Sequence, residues 1–218
     1  MQRNILTDYL AEIARIRATR AGTGEISYYG ALAGALNAAG ERLKPRVFCV
    51  PNLRNRGSGF PDMGLFVVAR GHAPEDWPEA HTPERGVVEV DDVPADLSIK
   101  LASAQVRRYL AEYRLVLVTN YRDFVLLGRD ARGQPERRES FSFGYDDAEA
   151  FFNLARSPRR PEGLGARFAE FPVLCSNGHQ RKRAGPLLIS YHAVCPNGIP
   201  SSSWACIASV LAWRGRSR

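Results

Sequence analysis

The segment Val87-Val88-Glu89-Val90-Asp91 constrains this chain more than any other stretch of it. Valines on both sides of Glu89 predict a strand, and an acid in such surroundings needs a partner or an ion. A second strand-like run, Met63–Ala69, is entered through Pro61-Asp62. Paired as a hairpin, the two runs bring Asp62 and Glu89 to one end of a sheet. A third acid, Glu25, stands just before or at the start of a predicted helix.

The rest of the chain supplies a frame for these acids. Ile5, Leu6, Tyr9, Leu10, Ile13 and Ile16 recur at helical spacing and predict a helix over about 4–19, ended by Gly22 and Gly24. Ser27 is placed to N-cap a second helix, with Tyr28, Leu32 and Leu36 on one face and Gly40 just past its end. Val47–Pro51 is a further strand, and 71–85, rich in Pro, Glu and His, an exposed loop. Leu97, Leu101, Ala104, Val106, Tyr109 and Leu110 predict one continuous third helix. Leu115–Thr119 and Phe124–Gly128 read as strands joined by a polar turn, 120–123, and Asp146–Ala155 as a last helix before an Arg/Pro-rich linker at 156–163. The order α-α-β-β-β-α-β-β predicts an α/β fold, a mixed β-sheet flanked by helices.

Converging carboxylates suit a hard, oxygen-preferring cation such as Mg²⁺, for which Mn²⁺ can substitute. Such an ion activates water and stabilises a leaving oxygen in phosphodiester hydrolysis. The loop Arg54-Asn55-Arg56-Gly57-Ser58-Gly59 adds two arginines and backbone N–H groups suited to phosphate. Gln105 and Tyr109, four apart, share a helix face with Arg107 and Arg108 close by. Each feature taken singly has an ordinary explanation: a Pro-Asp turn, a strand acid on a solvated face, surface and core positions of a helix. The case rests on their order along the chain.

In that order, Pro61-Asp62, Glu89-Val90-Asp91 and Gln105-Val106-Arg107-Arg108-Tyr109 resemble the PD-(D/E)XK nuclease signature with the Q-x-x-x-Y helix motif of RecB-like members. More closely, "GEISYYGALAGALN", "LRNRGSGFPDMGLF", "VVEVDD", "SAQVRRYL" and "VLVTNYRDFVLLGRD" are similar to the N-terminal region of bacterial adenine-specific DNA methyltransferases of fused restriction–modification systems. The resemblance covers roughly residues 1–170 and implies a restriction endonuclease-like sheet and Mg²⁺-dependent DNA cleavage. It makes Glu25, Asp62 and Glu89 the metal ligands. Asp62, Glu89, Asp91, Gln105 and Tyr109 become the catalytic set, and Arg54, Arg56, Arg107 and Arg108 the nucleic-acid contacts. DNA is the implied partner, with a methyltransferase or specificity partner and a homodimer left open.

The chain departs from the signature at Asp91, where a lysine is expected. Lysine occurs only at 44, 100 and 182. Lys100 reads first as a solvated helix-terminal lysine, and second as a migrated replacement; Asp91 could alternatively act as an extra metal ligand. The alternative function is therefore a non-catalytic DNA-binding or interaction fragment of such a methyltransferase.

The net charge of +7 does not bear on this choice. Six basic residues and no acid fall in 172–218, leaving 24 basic against 23 acidic residues before them. That tail also holds Cys175, Cys195 and Cys206, and its Cys175-x₃-His179 and His192-x₂-Cys195 spacing matches no reliable zinc site. Its composition predicts a truncated or frameshifted end that is not an independent domain. Neither an Asn/Asp-Pro-Pro-Tyr/Phe motif nor a glycine-rich cofactor loop is present, so methylation by this chain alone is not expected. No apolar run spans a bilayer and no secretory signal opens the chain, which predicts a cytoplasmic protein away from membranes.

Overall fold

A computed structural model of the chain describes residues 4–54, 59–68, 81–145 and 147–174. Helix α1 (Ile5–Thr19) starts on Asn4, whose side chain accepts the Thr7 N–H, and buries Ile5, Leu6, Tyr9, Leu10 and Ile13. It stops ahead of the expected glycines, on Arg20 in the left-handed conformation (φ 56°). A 3-10 turn (Gly24–Tyr28) leads into α2 (Tyr29–Gly40). Ser27 does not cap α2; its hydroxyl accepts the Thr23 N–H at 2.8 Å inside that turn. Gly40 is the last residue of α2 rather than the one after it, and a Cβ there would stand 2.1 Å from the Val47 carbonyl oxygen. Only glycine allows that close approach of helix to strand.

The strands β1 (Arg46–Pro51), β2 (Met63–Val68), β3 (Gly86–Val90), β4 (Val116–Thr119), β5 (Asp123–Arg129) and β6 (Pro135–Ser142) form one sheet in sequential order. All neighbours are antiparallel except β3 and β4, which run parallel. That parallel pair requires a crossover, supplied by α3 (Leu97–Leu101) and α4 (Ala104–Glu112). The expected mixed sheet flanked by helices is therefore present. The single helix expected over this crossover is broken, because Ser103 leaves helical geometry and caps α4 by accepting the Val106 N–H. Helices α5 (Ala148–Arg156) and α6 (Leu164–Leu174) complete the described chain.

Strand alternation divides the interior into two cores. Val88, Val90, Leu117, Phe124 and Leu126 face a large core with α1, α2, α5 and α6, rich in stacked and edge-on aromatic pairs around Tyr9, Phe141, Phe143 and Phe168. Val87, Val116, Val118, Val125 and Leu127 face a smaller core with α3 and α4, centred on Val106, Tyr109 and Leu110. Glu89 shares the parity of Val87, so its side chain belongs to the α3–α4 side. Among the described residues no helix is long and apolar enough to cross a membrane. The tail assignments, including Cys175, His179, His192 and Cys195, lie outside the described residues, as do Arg56 and most of the expected loop at 71–85.

Candidate active site at the carboxyl end of the third strand

The register Met63↔Val88 puts Asp62 one step beyond β2 and opposite Glu89. As the hairpin reading requires, both acids stand at one end of the sheet. Asp62 is fixed there: its Oδ2 accepts the Val90 N–H at 2.7 Å. Its Oδ1 lies 2.5 Å from the Tyr29 hydroxyl, which is also 2.7 Å from Glu25 Oε1. Glu25 thus arrives from the 3-10 turn ahead of α2 and meets Asp62 across one phenol. Its own backbone is held from beneath, where the Tyr121 hydroxyl donates to the Glu25 carbonyl at 2.5 Å.

Tyr121 is an unusual support. It is fully buried, and it holds a positive φ of 71°, a conformation that costs a bulky residue strain. Three bonds enforce it: Tyr9 OH donates to its carbonyl at 2.7 Å, its N–H donates to Thr119 Oγ1 at 3.0 Å, and its own hydroxyl reaches Glu25. Tyr28 packs edge-on against its ring. The turn after β4 therefore carries a side chain from the large core to the acid cluster.

Glu89 is only 3% exposed. Its Oε1 accepts from Lys100 Nζ at 3.1 Å, while its Oε2 is buried with no hydrogen-bond partner among the described residues. Burial, then the nearby charge of Asp62, pushes its carboxyl up to about 7, with Lys100 opposing. Burial also raises the carboxyl of Glu25, against the hydrogen bond from Tyr29. Lys100 is lowered by burial but raised further by Glu89, Asp91 and Glu25, so it stays charged.

The expectation of a solvated Lys100 is corrected by this geometry. The Lys100 side chain is 20% exposed and its ammonium enters the cluster, 3.1 Å from Glu89 and 3.9 Å from Asp91 Oδ2. The physical reason is the short α3, which begins on the Asp96 cap and turns Lys100 back under the sheet end. Asp91 accepts the Asp92 N–H with its other oxygen, at 2.9 Å.

The motif helix behaves as its spacing predicts in one respect: Gln105 Nε2 donates to the Tyr109 hydroxyl at 3.0 Å. Tyr109 is buried, and its phenol is raised by burial first and then by Glu89 and Asp62. A Cβ on Gly59 would lie 3.3 Å from the Tyr109 oxygen and 3.5 Å from Arg108 Nη2, so the segment before Asp62 packs on α4. Arg54, Arg107 and Arg108 are exposed. Sequence reasoning missed Tyr29, although its i+4 spacing from Glu25 was a usable signal, and Tyr121, for which no local signal exists.

The donor chemistry fits a hard cation, with three carboxylates at one sheet end and one buried carboxylate oxygen lacking a partner. The three are not gathered round a single point. Glu25 and Asp62 share Tyr29, Glu89 pairs with Lys100, and no group of three or more His, Cys, Asp or Glu among the described residues is close enough to hold an ion.

No protein-family model matches this chain, and no curated protein matches it. Among solved structures the chain is similar to one described as "cryoEM structure DrdV-DNA complex", at 16% sequence identity and a TM-score of 0.47. That likeness covers 73% of this chain and 14% of the other, so the chain spans a small part of that protein's length.

Proposed function

We propose that the domain cleaves DNA phosphodiester bonds in a Mg²⁺-dependent reaction, with Mn²⁺ able to substitute. The observation that carries this reading is Glu89, a buried acid at a strand end with one oxygen on an ammonium and the other without a partner. Glu25, Asp62 and Glu89, which stand apart on Tyr29 and Lys100 in this structure, would have to draw together to hold the ion, which would supply Lewis acidity toward the scissile phosphate and an acidified water. Lys100 takes the part of the lysine that Asp91 replaces: its ammonium orients the attacking water and offsets charge on the phosphate oxygens. Attack of the water oxygen at phosphorus would form one P–O bond and break the bond to the leaving sugar oxygen, the water releasing a proton to solvent and the sugar oxygen taking one up. Gln105 and Tyr109 brace the sheet end, while Arg54, Arg56, Arg107 and Arg108 contact the DNA backbone. The setting in a restriction–modification system, with a methyltransferase or specificity partner, belongs to the same proposal, as do a homodimer and a cytoplasmic location.

A second reading, DNA binding without cleavage, is favoured by one observation. The Glu89–Lys100 ion pair already neutralises the acid that a cation would use. Supercoiled-plasmid nicking by the full chain, with Mg²⁺ or Mn²⁺, separates the two. Nicking that disappears in Asp62→Ala and in Lys100→Ala supports cleavage. A wild-type chain that retards DNA in gels yet neither nicks it nor takes up Mn²⁺ belongs to the second reading.

A further inference from the structure

Large apolar side chains scattered singly over a surface call for no explanation. Their placement here does. The described residues expose four of them, and three flank the acid cluster. Ile26, 65% exposed, follows Glu25 in the 3-10 turn. Phe60, 66% exposed, stands two residues before Asp62, and Ile99, 75% exposed, precedes Lys100 in α3. They come from three separate segments, and the fold brings them to one sheet end because their charged neighbours meet there. Phe60 also sits on a constrained stretch of chain. Gly59 before it has φ 116°, a conformation that strains any other residue, and Pro61 after it is buried and restricts the backbone of the residue it follows.

The charges beside these side chains restrict what can cover them. Each has an ionisable member of the cluster within two residues, which a protein partner would have to bury along with the apolar group. A nucleic acid leaves such charges in water. The exposed Arg54, Arg107 and Arg108 attract its phosphates, while the carboxylates of Glu25, Asp62 and Asp91 repel them. Apolar contact with base faces is indifferent to that repulsion. A closed duplex hides those faces in the stack and shows a side chain only phosphates, sugars and base edges. Aliphatic wedges and aromatic rings reach them where bases unstack.

We infer that Ile26, Phe60 and Ile99 form a base-gripping rim, and that the domain takes DNA with unpaired bases at the site in preference to a closed duplex. Phe60 stacks on an unpaired base, and Ile26 and Ile99 pack on the base faces and sugars beside it. The inference rests on the DNA reading above and names its substrate class, and it requires no bound cation.

The test is binding of labelled oligonucleotides to the full chain in chelator-treated buffer, read by fluorescence anisotropy. The probes share one sequence: a closed duplex, that duplex with a short internal loop of unpaired bases, and the single strand. The looped duplex and the single strand are expected to bind roughly tenfold more tightly than the closed duplex, the size of one base–aromatic contact. Phe60→Ala should erase most of that difference, Ile26→Ser and Ile99→Ser part of it, and Phe60→Tyr should keep it. These side chains are exposed, so the variants are expected to fold as wild type does. A second readout uses wild type itself: 2-aminopurine in the loop should lose fluorescence on binding as it stacks. Equal affinity for closed and looped DNA, or a preference that Phe60→Ala leaves intact, overturns the rim while the DNA reading stands. No binding to any probe removes both. Self-association that Phe60→Ala abolishes would then make the rim a contact between copies of the chain.

Discussion

The two helical layers meet the sheet on different terms. The α1, α2, α5 and α6 side is built from large interlocked rings, whereas the α3–α4 side is a thin layer of valines and leucines around Tyr109. Each contributes to the acid cluster. Glu25 and Tyr29 come from the thick side and are tied to Tyr121 and Tyr9, while Lys100, Gln105 and Tyr109 come from the thin one. The contrast teaches that one half of the cluster is held by a rigid aromatic core. The other half is held by a short helix with few buried side chains. Glu25 and Asp62 are held by hydrogen bonds from Tyr29, Tyr121 and the Val90 N–H, and Glu89 by its ion pair with Lys100.

Removing a ring from the thick side gives the largest effect. Phe151→Ala deletes a fully buried ring that packs on Phe143 and Phe152, and urea unfolding should show a loss of about 3–5 kcal/mol. On the thin side Leu110→Ala should cost about 2 kcal/mol, the low end for a buried leucine, because fewer neighbours lose contact. Equal losses at the two positions break the distinction between the layers.

The charge-held half makes the next prediction. Glu89 is raised to about 7 in the fold from an ordinary value of 4.5. Between these values the folded chain binds the proton more readily than the unfolded one. Stability attributable to Glu89 is therefore greatest below about 4.5 and is lost as pH rises toward 7. Relative to Glu89→Gln in chelator-treated buffer, wild type should lose on the order of 3 kcal/mol across that window. Lys100→Met should deepen the loss by taking away the opposing ammonium. A wild-type profile parallel to that of Glu89→Gln shows that Lys100 compensates Glu89 fully.

How much of this the sequence disclosed follows from where each signal lives. Asp62 facing Glu89 was legible because hairpin register is local, and so was the Gln105–Tyr109 pair, a helix spacing. Lys100 was not: its direction depends on a helix broken at Ser103, and the apolar spacing runs through that break without a gap. Strand β6 escaped because Pro135–Ser142 is almost wholly exposed and carries the charged run Glu136-Arg137-Arg138-Glu139. Such edge strands show no apolar alternation to read. Ser27 looked like a cap because a serine ahead of an apolar run is the usual signal, and its place inside the 3-10 turn, bonded to Thr23, is visible only in three dimensions.

The smallest effect decides what the thin layer is for. The Tyr109 hydroxyl accepts from Gln105 and keeps its own proton, since burial and the neighbouring acids hold the phenol neutral. If the pair only braces α4, Tyr109→Phe should cost about 0.5–1.5 kcal/mol, with Gln105→Ala costing less because Gln105 is only half-buried. DNA binding and nicking, at a temperature where each variant is fully folded, should then match wild type. A pair that serves the site gives another pattern, in which both substitutions lower nicking several-fold while the melting temperature scarcely moves. In that case α4 steadies the site and not only itself, with Gln105 acting on the neighbouring acids through the buried Tyr109 hydroxyl.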